Sequence, residues 1–192
     1  MKNKFAKAAL TLVIAIGATA FTPVDKEEKK VDVTTSKITW KGYKVTGSHE
    51  GVISLKEGSL IFEGDKLTGG EFVVDMTSLT STDLEGDSRS KLDGHLKSDD
   101  FFGVETHPTS KLIITKVKAS GKNAYKVTGD LTIKGKTHPV TFDLSVYGNK
   151  ATGALKIDRS KYDVRYGSGS FFDNLGDKTI YDEFDLVVDL NF

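Results

Sequence analysis

The chain contains no cysteine. Disulfides, cysteine-held metals and a lipid attached at a processed cysteine are all excluded, so the fold must rest on its core. An excess of basic charge is missing too: Lys plus Arg and Asp plus Glu each number 27. A nucleic-acid binder would carry a basic surface. Arginine is scarce, confined to Arg89, Arg159 and Arg165. No pair among His49, His95, His107 and His138 has the spacing of a metal site, and no HExxH occurs. A Gly-x-Ser-x-Gly nucleophile elbow is absent; Gly167-Ser-Gly-Ser170 has neither its spacing nor its strand-to-helix context. The same run lacks the Lys-Ser/Thr and following helix of a phosphate loop.

Long apolar runs are missing except near the start. Lys2, Lys4 and Lys7 precede Ala8–Ile16, and Ala18-Thr-Ala20 supplies small residues at the positions a signal peptidase reads. These three parts make a secretory signal, with cleavage expected after Ala20. The run is short for a permanent membrane helix. Losing the three lysines leaves the remainder acidic. Residues 21–30, with the cluster Asp25–Lys30, read as a solvated spacer, and residues 31–192 as one domain.

What is present is strand alternation. Phe184, Leu186, Val188, Leu190 and Phe192 take one face of the last segment, while Asp185, Val187, Asp189 and Asn191 take the other. Ala124–Lys134 alternates as cleanly, and Val140, Phe142, Leu144 and Val146 share one side of the next strand. Further strands are expected over Ser36–Val45, Gly51–Leu55, Leu60–Phe62, Gly70–Met76, Lys111–Lys118 and Ala154–Asp158. Glu57-Gly58, Gly135-Lys136 and Gly148-Asn149 are read as turns. Consecutive Leu112, Ile113 and Ile114 leave the facing of their strand open. Short strands with turn signals predict an all-β sandwich or barrel. Ser78–Phe102 breaks the rhythm; Leu92 and Leu96 fit helical spacing, so short helices are expected in this one long connection. Ser160–Lys178 reads as a long loop of the kind that often carries function.

Several segments together resemble the YceI-like family of secreted proteins. They are Gly70–Leu79, Leu92–Phe102 with its run His95-Leu-Lys-Ser-Asp-Asp-Phe-Phe102, Thr106-His-Pro108, Gly129–Val140 with its run Gly129-Asp-Leu-Thr-Ile-Lys-Gly135, and Ile157-Asp-Arg-Ser160 with the loop ending at Phe172. The resemblance implies an eight-stranded antiparallel, lipocalin-like barrel. It implies an apolar interior for a polyisoprenoid or similar amphiphile, such as an isoprenoid quinone or prenyl pyrophosphate. It also implies a periplasmic or secreted location, no catalytic residues and no required cofactor. A homodimer and transient membrane contact are compatible with it. Lys44–Gly51 is more polar than the matching segment of many relatives.

On this reading the apolar lining is Phe72, Val74, Val127, Leu131, Ile133, Phe142, Leu144, Phe184, Leu186 and Val188. The mouth is assigned His49, His95 and Arg165 as headgroup candidates, with Phe101, Phe102, Phe171 and Phe172 as an aromatic rim. Each has a plainer reading, as core filler, polar bridge or ion pair. For Arg159 the plainer reading, a pair with Asp158, Asp163, Asp173 or Asp177, is preferred. Two other classes stay open. A small outer-membrane β-barrel would show the same alternation with its apolar face outward. The single Trp and six Tyr are few for its two girdles. A secreted enzyme would use His49 and His95 with a carboxylate.

Overall fold

Strand alternation over the last segment is realised in the final strand of a computed structural model, which describes residues 25–192. The leader expected over residues 1–20 lies outside the described residues. In chain order come β1 (Lys26–Lys30), β2 (Lys37–Lys44), β3 (Gly47–Glu63), β4 (Lys66–Ser81) and α1 (Gly86–Lys97). Then follow β5 (Thr109–Ala119), β6 (Ala124–Ile133), β7 (Lys136–Tyr147), β8 (Lys150–Asp158) and β9 (Ile180–Asn191). Strands β2 to β9 form a closed antiparallel ring, sealed by β2–β9, β2–β3 and β3–β4 pairing. Closure removes the unpaired edges that an open sheet would expose. The eight-stranded lipocalin-like barrel is therefore the fold, with one strand added and one helix rather than several in the long connection.

The added strand corrects the reading of Lys26–Lys30 as spacer. Its charges point to solvent, yet its backbone pairs with β3, Lys26 opposite Glu63 and Lys30 opposite Ser59. Charge marked exposed side chains and was silent about backbone pairing.

Glu57-Gly58 is not a turn. Strand β3 runs through it with register shifts against β4, one of them between Leu55 and Glu57. Before the shift the buried positions are Gly51, Ile53 and Leu55; after it they are Leu60 and Phe62. A bulge inserts one residue and moves the apolar set to the other parity, which looks like a chain break in sequence. The Phe72 ring lies where a side chain on Gly58 would go, its Cδ1 2.8 Å from the Cβ position. In β5, Leu112 and Ile114 line the interior and Ile113 faces out, in regular register with β6; a shift follows, between Ile114 and Lys116.

The turn at Gly148-Asn149 is as expected, and the one expected at Gly135-Lys136 falls one residue earlier, at Lys134-Gly135. Lys134 and Gly135 both have positive φ, matching the two-residue hairpin that suits strand twist. The outward face carries ion pairs between strands: Lys111–Glu71, Lys126–Asp143 and Lys156–Asp185. A membrane barrel needs an apolar belt on that face, so this arrangement is the inverse of that alternative.

One end of the barrel is packed solid. Leu60 and Val127 are completely buried, with Phe62, Leu67, Tyr125 and Ala151 around them. At Gly51 a Cβ would fall 2.0 Å from Thr80 O and 2.6 Å from the Trp40 ring. Gly51→Ala should therefore cost about 3 kcal/mol or more, as overpacking against backbone does. Gly94, inside α1, has open space around it, so Gly94→Ala should stabilise by about 0.5–1 kcal/mol through helix propensity. Chemical denaturation of the two variants checks both signs.

Candidate functional site

Above the solid end the barrel encloses a cavity of about 360 Å³. Its wall is built from the inward positions of β2 to β9. Nine of the ten positions expected from alternation line it: Phe72, Val74, Leu131, Ile133, Phe142, Leu144, Phe184, Leu186 and Val188. Val127 does not. It faces inward on β6, but its cross-strand neighbours Val117 and Phe142 and the solid end leave it no free surface. Antiparallel pairing adds residues that alternation did not single out. Ile38 and Trp40 sit opposite Val188 and Leu186, and Leu155 also sits opposite Leu186. Met76, Leu79, Ile114 and Leu190 complete much of the wall.

The helix α1 roofs the cavity. Leu92, His95 and Leu96, spaced three and four apart, share the face that lines it. No residue of the helix is fully buried, so its placement depends on a polar tie. Asp93 accepts from the Thr80 hydroxyl at 2.6 Å and from the Ser81 amide at 2.8 Å. Beyond the helix, Phe101 and Phe102 pack edge to face at 5.1 Å, and Phe102 meets Phe184 at 6.5 Å. Both line the cavity and both are buried. They belong to the wall, where the sequence suggested an aromatic rim at the mouth.

Phe171 and Phe172 are exposed and outside the lining. Their loop is turned outward by backbone bonds from both residues to Ser168 O, and Ser168 is itself buried. Arg165 also stays outside, paired with Asp163 and lying over the Phe171 ring at 5.1 Å. Asp163, two residues back, and the Phe171 ring satisfy it locally, so it does not reach the cavity. The residue from that loop that does line it is Tyr166.

Arg159 is the arginine at the cavity. It is 2 % exposed and its guanidinium lies 5.2 Å over Phe101. It donates to Val164 O at 2.7 Å, Ile180 O at 2.9 Å and Tyr181 O at 3.2 Å. Its acidic partner is Asp182 at 3.4 Å, a residue beyond the acidic ones near it in sequence. Burial pulls its pKa down, while Asp182 and Asp158 pull it up; the guanidinium stays charged. The side chain thus staples the start of the long loop to β9, beside the opening.

His49 and His95 both line the cavity. No hydrogen bond joins them among the described residues. His49 Nδ1 lies 2.8 Å from Asp83 Oδ2, and Asp83 Oδ1 accepts from the Glu50 amide at 3.3 Å. His95 instead stands among rings, 4.3 Å from Tyr166 and 5.7 Å from Phe101. Its Nε2 is buried without a hydrogen-bond partner. Helical spacing could place His95 on the cavity face; the lack of a partner was invisible in sequence. No group of three or more His, Cys, Asp or Glu side chains is placed to hold a metal among the described residues.

A closed antiparallel barrel, solid at one end, open and apolar at the other and roofed by one helix, defines a lipocalin-like binding architecture. Within that class the chain belongs to the family of the YceI-like domain, whose model matches residues 25–192. A UPF0312 protein of Pseudomonas putida strain W619 is 33% identical over 153 residues, covering 77% of this chain and 74% of the relative. Burkholderia cenocepacia BcnA has a similar structure, with TM-score 0.66 and 25% identity over 83% of this chain and 98% of that one. A polyisoprenoid binding domain from Saccharophagus degradans shares the fold, with TM-score 0.57 and 16% identity over 84% and 95% of the two chains.

Burial opposes ionisation of Asp83, but the His49 ring and the Glu50 amide outweigh it and hold the carboxyl below its ordinary value. A depressed pKa contributes stability above the unfolded value near 4 that is lost as pH falls through the folded one. Thermal melts of the protein and of Asp83→Asn should therefore differ at neutral pH. The difference should shrink as pH falls from about 5 toward about 2.

Proposed function

We propose that this protein binds an isoprenoid-type lipid in the barrel interior and carries it, without chemically altering it, outside the cytoplasm. The observation that carries this reading is a cavity of about 360 Å³ with an apolar wall and its polar groups gathered at the roofed end. Its volume falls in the range of small-molecule sites, roughly 300–1,000 Å³. Left empty, an apolar void is expensive. At roughly 24 cal/mol per Å³ the loss is on the order of 8 kcal/mol relative to a filled core. That rivals the whole stability of a typical domain, about 5–15 kcal/mol. An occupant that restores those contacts accounts for why the interior is built this way.

An elongated apolar occupant fits the shape of the wall, which extends from Leu190 toward α1. Burying on the order of 400 Å² of chain would contribute about 10 kcal/mol gross. Ordering the chain takes back several kcal/mol, which leaves affinity near micromolar or tighter. The Saccharophagus degradans domain, similar in fold, is a polyisoprenoid binding one, which supports this ligand class. The leader-like pattern of residues 1–20 supports export. Binding rather than catalysis is favoured because, among the described residues, no hydrogen bond joins His49 to His95 and Nε2 of His95 meets no carboxylate or other partner.

Two measurements test the reading. Organic extraction of protein purified from its native host, followed by mass spectrometry, should release an isoprenoid lipid. Trp40, the single tryptophan, lines the cavity, so titration with geranylgeraniol should change its emission saturably. Val74→Phe, which fills part of the cavity and leaves Trp40 the single tryptophan, should weaken that binding at least tenfold. No extracted lipid together with no saturable titration would sink the carrier hypothesis.

A further inference from the structure

The wall of the cavity is apolar, and apolar walls do not choose between lipids of equal tail length. Choice needs a polar group whose hydrogen bond one ligand can complete and another cannot. At the roofed end, most polar side chains are already committed. Arg159 spends its donors on the carbonyls of Val164, Ile180 and Tyr181, and Asp182 faces its charge. His49 is held by Asp83, and the Tyr43 hydroxyl donates to Asp185 at 2.7 Å. Of the buried polar side-chain atoms without a hydrogen-bond partner, on Ser81, His95, Tyr162 and Asp182, the one on a residue that lines the cavity belongs to His95. Its Nε2 is shut away from solvent with no partner, and its ring neighbours Tyr166 and Phe101 present edges and faces rather than an acceptor. A buried polar atom left unpaired is a standing cost to the free protein.

The rings beside it are unequally held. Phe101 is buried, with its carbonyl fixed by the Lys134 ammonium at 2.8 Å. Tyr166 is 48% exposed and comes from the long loop. It lines the cavity and has nothing bonded to its hydroxyl among the described hydrogen bonds, so it is the neighbour with freedom to turn aside.

We infer that His95 reads the ligand's headgroup: when Tyr166 turns aside, an uncharged headgroup oxygen bonds to Nε2 and completes the hydrogen bond that the free protein lacks. This rests on the lipid reading above. A hydroxyl or phenol suits either tautomer of the ring, since it can donate or accept; a carbonyl suits the tautomer with hydrogen on Nε2. A diphosphate suits the site poorly. The buried cation there, Arg159, is already balanced by Asp182, and Lys44, the other cation on the lining, brings one charge against the several of a diphosphate, which would be desolvated against a wall of leucines and phenylalanines.

The test compares three probes of one chain length, each followed by Trp40 emission: geranylgeraniol, the matching hydrocarbon without the hydroxyl, and geranylgeranyl diphosphate. The unaltered protein should bind the alcohol about tenfold more tightly than the hydrocarbon, as a completed buried hydrogen bond implies. It should also bind the alcohol more tightly than the diphosphate. His95→Phe keeps a ring against Tyr166 and Phe101 but removes the nitrogen. In that variant the alcohol-to-hydrocarbon ratio should fall to about one, while the ligand-free melting temperature is unchanged or higher. His95→Gln, which restores a donor and an acceptor, should recover part of the ratio and provides the check should the phenylalanine variant misfold. An unchanged ratio in a folded His95→Phe, or tighter binding of the diphosphate than of the alcohol, overturns the headgroup assignment and leaves the lipid reading standing. Failure of the unaltered protein to bind any of the three overturns both.

Discussion

Closing eight strands encloses more space than their inward side chains fill, and the rest of the structure answers to that surplus. A sheet that closes must tilt and stagger, and eight strands leave an interior just wide enough for side chains or one slim ligand. Here the two outcomes are divided between the ends. At one end Leu60, Phe62, Leu67 and Val127 are buried in the core and line no part of the cavity. Toward the other, the inward residues of opposite strands no longer meet, and a cavity of about 360 Å³ opens. Packed interiors reach crystal-like density, so an apolar space of that size marks a place meant for something else.

The wide end needs its own support because alternating strands supply none. Two polar devices provide it. Asp93 bonds the helix α1 to the end of β4 through Thr80 and Ser81. Arg159 gathers carbonyls from the long loop and from β9. The guanidinium is suited to this because its planar fork offers five donors in fixed directions, which a lysine cannot match. Apolar contacts then finish the roof: Leu92 and Leu96 from the helix, Phe101 and Phe102 from the segment after it. The mouth is thus polar in its fastening and apolar in its lining, as suits a cavity that must open to water without filling with it.

Much of this was legible in the sequence because it depends on period. The inward faces of β6, β7 and β9 followed from strict alternation, and with them most of the wall. Where β3 carries a bulge, parity changes and alternation misleads, so Glu57-Gly58 looked like a turn; in β5 three consecutive apolar residues, Leu112 to Ile114, left the facing open. Lys26–Lys30 was missed as a strand because pairing there is made by backbone, while its side chains face solvent. At the mouth, nearness in sequence misjudged nearness in space. Arg159 has acidic residues close along the chain but meets Asp182 across the loop. For Arg165, which was open between a headgroup and a nearby acidic residue, nearness in sequence did hold: Asp163, two residues away, satisfies it. Phe171 and Phe172 were turned out by a loop whose path no periodicity encodes.

The central claim is that the space inside the barrel belongs to a ligand. A crystal structure of the protein purified from its native host, without exposure to detergent or solvent, tests it most directly. The account predicts continuous elongated density from the neighbourhood of Leu190 to that of His95, flanked by Phe72, Phe142 and Leu186. Side chains collapsed into the space, or ordered water filling it, would contradict the account.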